Sequence, residues 1–203
     1  MSVRVLGADQ LGGVVALLAA GRVVAIPTDT VYGLASQLDA PAVDRLFAAK
    51  RRPASMPVAV LCASADDARR IAAQWPPAAE RLATRYWPGP LTVVVGADRV
   101  LAALLGSAHS VGLRVPDDAL CRELLERVGP LAVTSANRHG EAPATTPGAV
   151  VAAFGAEDVE AVLDGGERDG EVSTVVDLTA NAPSVVRHGA LDADAVLATA
   201  RGA

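Results

Sequence analysis

Polar side chains crowd together at Thr28, Asp29, Thr30 and Tyr32, directly after the apolar run Val23, Val24, Ala25 and Ile26. Two kinds of chemistry fit them. Hydroxyls, a carboxylate and a phenol at a strand exit can hold a small polar ligand. The same residues can also simply end a strand, since Thr and Tyr favour that setting. Lys50, Arg51 and Arg52 then close the following helix. Cations there are favoured by the helix dipole and can be solvated, or Lys50 and Arg52 can form a phosphate-sized positive site. Composition bears on the choice. The chain has 18 Lys and Arg residues, and Lys50 is its only lysine. In a chain that otherwise uses arginine, a retained lysine points to a need for its compact ammonium. Pro53 and Pro57 make the next segment a fixed loop that helps aim these side chains.

Three more groups could take part. Ser135 and Asn137 leave the strand Leu131 to Thr134, where they can form a turn or donate to a substrate. Arg114 lies among Val111, Gly112, Leu113 and Val115. A guanidinium in such a strand must find an anion or bear a desolvation cost, and a bidentate clamp on a carboxylate is the simplest use. Ser173, Thr174 and Arg187 sit near the ends of the last strands. Several chemistries are missing. Ala48 and Ala49 precede the only lysine, so there is no P-loop, and no Gly-x-Gly-x-x-Gly opens a helix. Cys62 and Cys121 are isolated in apolar surroundings and read as buried thiols, while His109, His139 and His188 are scattered. No metal site is expected from them.

The elements that must position these groups alternate. Strands are expected at Val3–Leu6, Val23–Ile26, Val58–Cys62, Leu91–Val95, Ser110–Val115, Leu131–Thr134, Ala161–Leu163, Thr174–Leu178 and Ser184–Arg187. Tyr32 and Gly33 read as a turn. Helices are expected after the caps Asp9, Ser64, Asp117, Thr146 and Asp192, after Pro41 and Pro77, and over Val100–Leu105. Ser64's helix is expected to run to Gln74. This alternation predicts an α/β sheet covered by helices, and the hairpin spacing near 174–187 makes it mixed.

Composition sets limits. The formal net charge is -5 with 3% aromatics, which disfavours a general nucleic-acid binder. No apolar run approaches the ~18 residues of a membrane span, and Met1–Arg4 is not the start of a secretory signal. The reading is one soluble, cytoplasmic domain over residues 1–203.

Several blocks together carry a resemblance. They are Pro27-Thr28-Asp29-Thr30-Val31-Tyr32-Gly33-Leu34, Lys50-x-Arg52-Pro53, Trp87-Pro88-Gly89-Pro90-Leu91-Thr92, Leu113-Arg114-Val115-Pro116, Ser135-Ala136-Asn137 and Ser173-Thr174-Val175. In this order they resemble the YrdC family, the threonylcarbamoyl-adenylate synthases, across roughly residues 10 to 190. The resemblance implies an open, twisted, mixed α/β sheet with flanking helices and a concave, positively charged site. It implies condensation of L-threonine, bicarbonate and ATP, with magnesium accompanying ATP. Thr28, Thr30, Tyr32, Arg114, Ser135 and Ser173 would then hold threonine. Lys50, Arg52, Ser110, Asn137, Thr145 and Arg187 would hold the nucleotide, with Lys50 and Arg52 catalytic. The implied partners are downstream tRNA-modification transferase proteins, with a weak contact to tRNA or double-stranded RNA and none to membrane. The longer members' extra C-terminal domain is not expected. The chain departs from the pattern at Met56 and Leu61, which are apolar where relatives often carry polar residues or histidine. It also departs at His139-Gly140 and Ala35-Ser36. A non-catalytic RNA-binding module and a hydrogenase-maturation carbamoyl-adenylate domain are the alternatives. The charge disfavours the first, and the lack of zinc-finger cysteines disfavours the second.

Overall fold

The computed structural model describes residues 2–51, 53, 56–168 and 170–202. Its strands are β1 (Arg4–Leu6), β2 (Val24–Ile26), β3 (Gly33–Ser36), β4 (Ala59–Leu61), β5 (Leu91–Gly96), β6 (Ser110–Arg114), β7 (Leu131–Ser135), β8 (Ala161–Leu163), β9 (Thr174–Asp177) and β10 (Ser184–Arg187). Among the described residues they form one sheet, ordered β1-β8-β2-β3-β7-β4-β6-β5-β9-β10. The mixed character expected from the last hairpin is present there, where β9 and β10 are antiparallel. It also runs through the middle: β3, β7 and β4 pair antiparallel, as do β6 and β5, while β4 pairs parallel with β6 and β5 with β9.

β3 corrects the turn expected at Tyr32 and Gly33. Gly33, Leu34, Ala35 and Ser36 lack the β-branched residues that mark a strand. Pairing on both sides overrides that weak propensity, with β2 on one flank and β7 on the other. Gly33 is required at this crowded place, because a Cβ there would lie 2.6 Å from Val133 Cγ1.

The helices are α1 (Leu11–Ala19), α2 (Ala40–Lys50), α3 (Ala65–Ile71), α4 (Pro77–Tyr86), α5 (Arg99–Leu104), α6 (Ala119–Val128), α7 (Pro147–Ala153) and α8 (Ala193–Arg201). Ser64, Thr146 and Asp192 cap as expected. Asp9 does not cap. It lies in a 3-10 turn over Ala8–Gln10 that leads into α1. Asp118, not Asp117, caps α6, accepting from the Cys121 N–H at 2.7 Å. α3 stops at Ile71, short of Gln74, where Ala72 turns extended. α2 is fixed at both ends. Asp39 accepts from the Ala42 N–H, and Arg51 ends the helix in the left-handed region at φ 51°.

Residues alternate between the two faces of the sheet, as strand geometry requires. Val60, Val93, Val95, Val111, Leu113, Ala132 and Val176 join one apolar core. Val24, Ile26, Leu61, Leu131, Val133 and Leu163 join a second. Its helical members come from α1 (Leu11, Val14, Leu18) and α6 (Cys121, Leu124, Leu125), and it includes no residue of β5, β6, β9 or β10. One face of the sheet is therefore covered over half its width and open over the other half.

Candidate functional site

The open half of that face is the floor of a cavity of about 560 Å³. Its lining repeats every second residue: Ala59 and Leu61, Thr92 and Val94, Ser110, Gly112 and Arg114, Val133 and Ser135, Val175 and Asp177. A strand-exit crevice was the expectation. The site instead spreads across the pleated face, and Thr28, Thr30 and Tyr32 form one wall. Ser173 and Arg187 close the far side. Small residues make this possible, since Ala59, Ser110 and Gly112 leave the floor low. Leu61 makes the floor apolar at that point.

Arg114 is the buried cation of this floor, only 5% exposed. Its Nε donates to the Gly89 carbonyl at 3.0 Å, Nη1 to Thr30 Oγ1 at 3.1 Å and Nη2 to Asp29 Oδ1 at 2.5 Å. The anion that the sequence demanded is thus supplied first from within, by Asp29. Burial pulls the Arg114 pKa down, and the Asp29 charge opposes that. A guanidinium carries five N–H donors. Three are used here, and Arg114 still lines the cavity.

Thr28 acts as both wall and turn former. Its Oγ1 donates to the Val31 carbonyl at 2.7 Å, accepts from the N–H groups of Thr30 and Val31, and lies 2.9 Å from Thr30 Oγ1. The Tyr32 hydroxyl does not serve the cavity directly. It donates to the Gly166 carbonyl at 2.7 Å and accepts from the Gly165 N–H at 3.1 Å. Burial raises its pKa. Tyr32 therefore ties the β8–β9 loop to the wall, and Gly170 N–H adds a bond to the Thr30 carbonyl. Arg168 of that loop spans from Asp118 Oδ2, at 2.9 Å, to the Gly165 carbonyl, with its guanidinium over the Tyr32 ring.

Lys50 is not the solvated helix end that was one of its two readings. It is neither solvated nor on the cavity surface, being 2% exposed. Its Nζ lies 2.7 Å from the Ser135 carbonyl, 3.0 Å from Ser135 Oγ, 3.2 Å from the Asn137 carbonyl and 2.7 Å from Asn137 Oδ1. Asn137 Nδ2 donates to the carbonyls of Arg138 and Glu141. The ammonium organises the loop after β7, and only Ser135 of this cluster lines the cavity. Arg52 lies outside the described residues. Thr145 is half-buried and does not line the cavity; its carbonyl accepts from the Arg168 N–H at 2.9 Å.

On the far side Ser173 Oγ lies 2.9 Å from Thr92 Oγ1 and accepts from Arg187 Nη2 at 2.7 Å. Ser110 Oγ lies 2.8 Å from Ser107 Oγ. Eight residues assigned from sequence therefore line one cavity: Thr28, Thr30, Tyr32, Ser110, Arg114, Ser135, Ser173 and Arg187. Thr92 and Asp177 also line it and were missed. Thr92 is the one polar side chain of β5, and Asp177 is the one charged residue of β9; those were the available signals. The cysteines are free and buried as expected. Burial pushes the Cys62 thiol up to about 12 and the Cys121 thiol further still. Among the described residues, no group of three or more His, Cys, Asp or Glu could hold a metal.

Residues 16–189 match the family model of the Sua5/YciO/YrdC domain, described as telomere recombination. The chain belongs to this family. A threonylcarbamoyl-AMP synthase of Pyrococcus abyssi is 41% identical over 175 residues, covering 84% of this chain and 51% of that protein. A putative threonylcarbamoyl-AMP synthase of Mycobacterium tuberculosis is 38% identical over 185 residues, 90% of this chain and 85% of that one. The crystal structure of P. abyssi Sua5 complexed with L-threonine superposes with a TM-score of 0.88 at 34% identity, covering 98% of this chain and 61% of that one. E. coli YciO has the same fold, with a TM-score of 0.84 at 24% identity. The chain spans about half the length of the P. abyssi enzyme.

Proposed function

We propose that this cavity forms threonylcarbamoyl-adenylate from L-threonine, bicarbonate and MgATP, as a nucleotidyltransferase. The observation that carries the proposal is a buried, pre-oriented Arg114 at one end of a hydroxyl-lined floor. The names of the relatives point the same way, as does the threonine in P. abyssi Sua5.

The chemistry needs no enzyme nucleophile. Threonine's amine and bicarbonate give a carbamate and water. A carbamate oxygen attacks the α-phosphorus of ATP, and pyrophosphate leaves with the bond electrons. Catalysis of such a transfer is mostly positioning and charge stabilisation. Arg114 takes the threonine carboxylate, and Thr28, Thr30, Ser135 and Ser173 surround the amino acid. Ser110, Asn137, Thr145 and Arg187 serve the nucleotide, with Lys50 and Arg52 at the phosphates. A phosphate that reached Lys50 would replace one of its present oxygen partners. Tyr32 acts through the loop it holds. Magnesium enters as part of MgATP, with phosphates and water supplying most of its ligands.

The product would pass to a transferase acting on tRNA, with a weak RNA contact, which places the reaction in the cytoplasm. Among the described residues, no helix is long and apolar enough to cross a membrane. The test is pyrophosphate release with each substrate omitted in turn. Release should require threonine, bicarbonate and ATP together. Equal turnover with serine, or with no amino acid, would remove the assignment.

A further inference from the structure

Asp177 is the one carboxylate among the residues lining the cavity. It ends β9 and faces the floor beside Val94, its partner in β5. Its orientation is fixed, because Oδ1 accepts from both the N–H and the hydroxyl of Thr179, at 2.8 and 2.7 Å. Oδ2 accepts no hydrogen bond from the described residues. A carboxylate oxygen runs against the charge expected of a site for anions, and its position on the sheet resolves the conflict.

The Lys50, Ser135 and Asn137 cluster sits at the end of β7. From β7 to β9 the order is β7-β4-β6-β5-β9. At ~4.8 Å per strand, four spacings put Asp177 roughly 19 Å across the floor from that cluster. Asp177 lies in the row of Val94 and Gly112, so Arg114 is two spacings across and two residues along from it, roughly 12 Å. The Arg114 guanidinium is held towards Thr30 and Asp29, so an amino acid whose carboxylate it takes is seated on that side of the floor. A nucleotide with phosphates at the β7 end runs along the floor and brings its nucleoside end to β9. The donors it presents there are the ribose hydroxyls, and a fixed carboxylate oxygen accepts from them strongly.

We propose that Asp177 reads the ribose hydroxyls of the bound nucleotide and selects ribonucleotides over deoxyribonucleotides. The inference rests on the adenylate-forming reading for the nucleotide's direction.

The experiment is calorimetric titration of the protein, Asp177→Asn and Asp177→Ala with ATP, 2′-deoxyATP and 3′-deoxyATP, at low and high magnesium. Asp177→Asn keeps an oxygen for Thr179, so the turn survives in that variant. The unaltered protein should bind ATP about 10- to 100-fold more tightly than at least one deoxynucleotide, the loss expected for a hydrogen bond to a charged group. Both variants should bind ATP and its deoxy forms alike, at the weaker level. Equal affinities in the unaltered protein would overturn the proposal. So would discrimination that persists in the variants, or affinity restored by excess magnesium, which would make Asp177 a metal ligand. Ribose discrimination without threonine-dependent pyrophosphate release would remove the adenylation reading and leave this one standing. A protein that binds no ATP would remove both.

Discussion

Arg114 shows how one residue can be read correctly in kind and incompletely in company. Its apolar strand demanded an anion, and the structure supplies Asp29, with the two side chains 6% and 12% exposed. Removing one partner of a buried pair leaves the other uncompensated, which typically costs ~3–5 kcal/mol. Arg114→Leu should therefore lower stability by about that much and also abolish threonine binding. The double variant Arg114→Leu/Asp29→Asn should recover much of the stability and none of the binding. Chemical denaturation beside threonine calorimetry checks both halves. Threonine binding in the double variant would show that Arg114 serves the fold and not the ligand. Lys50 carries a related lesson. Its type was informative, but the oxygens of Ser135 and Asn137 that surround it come from a distant part of the sequence.

At the scale of elements, the fold class and most strands were legible because apolar runs and caps are local signals. β3 was not, since its four small or unbranched residues depend on β2 and β7 for strand pairing. The site's location was illegible for the same reason. Sequence places Thr92, Gly112 and Asp177 on separate strands, and only the register sets them on one face. Asp29 could be seen as polar, but its contact with Arg114 spans 85 positions. Gly112 tests the reading of the floor. A Cβ there would meet Thr92 Cγ2 at 3.2 Å and Ala59 Cβ at 3.6 Å, a tight but adjustable fit. Valine suits a strand better than glycine. The gain in strand propensity, up to ~1 kcal/mol, opposes the cost of the added bulk, so Gly112→Val should remain folded. It should raise the floor and weaken threonine-dependent turnover. A folded Gly112→Val protein with unaltered KM values for threonine and ATP would show that ligands do not use this floor.

The whole molecule places one cysteine in each core, Cys62 on one side of the sheet and Cys121 on the other. Burial raises both thiols, Cys62 to about 12 and Cys121 beyond it. An unfolded thiol titrates near pH ~8.5. Above that pH the unfolded chain has released the two thiol protons while the folded chain retains them, so the unfolded state binds fewer protons and stability falls as pH rises. The contribution is fully present below about pH 8.5 and is lost progressively from there towards 12. Each buried thiol contributes a slope of ~1.4 kcal/mol per pH unit within that window, so the pair gives nearly 3. Cys62→Ala and Cys121→Ala should each remove one such slope, while the small cavities they leave shift the curve uniformly. Urea denaturation at intervals from pH 8 to 11 separates the two effects. Parallel curves for the double variant and the unaltered protein would mean that the thiols ionise in place, and that neither core is as dry as the packing around the sheet requires.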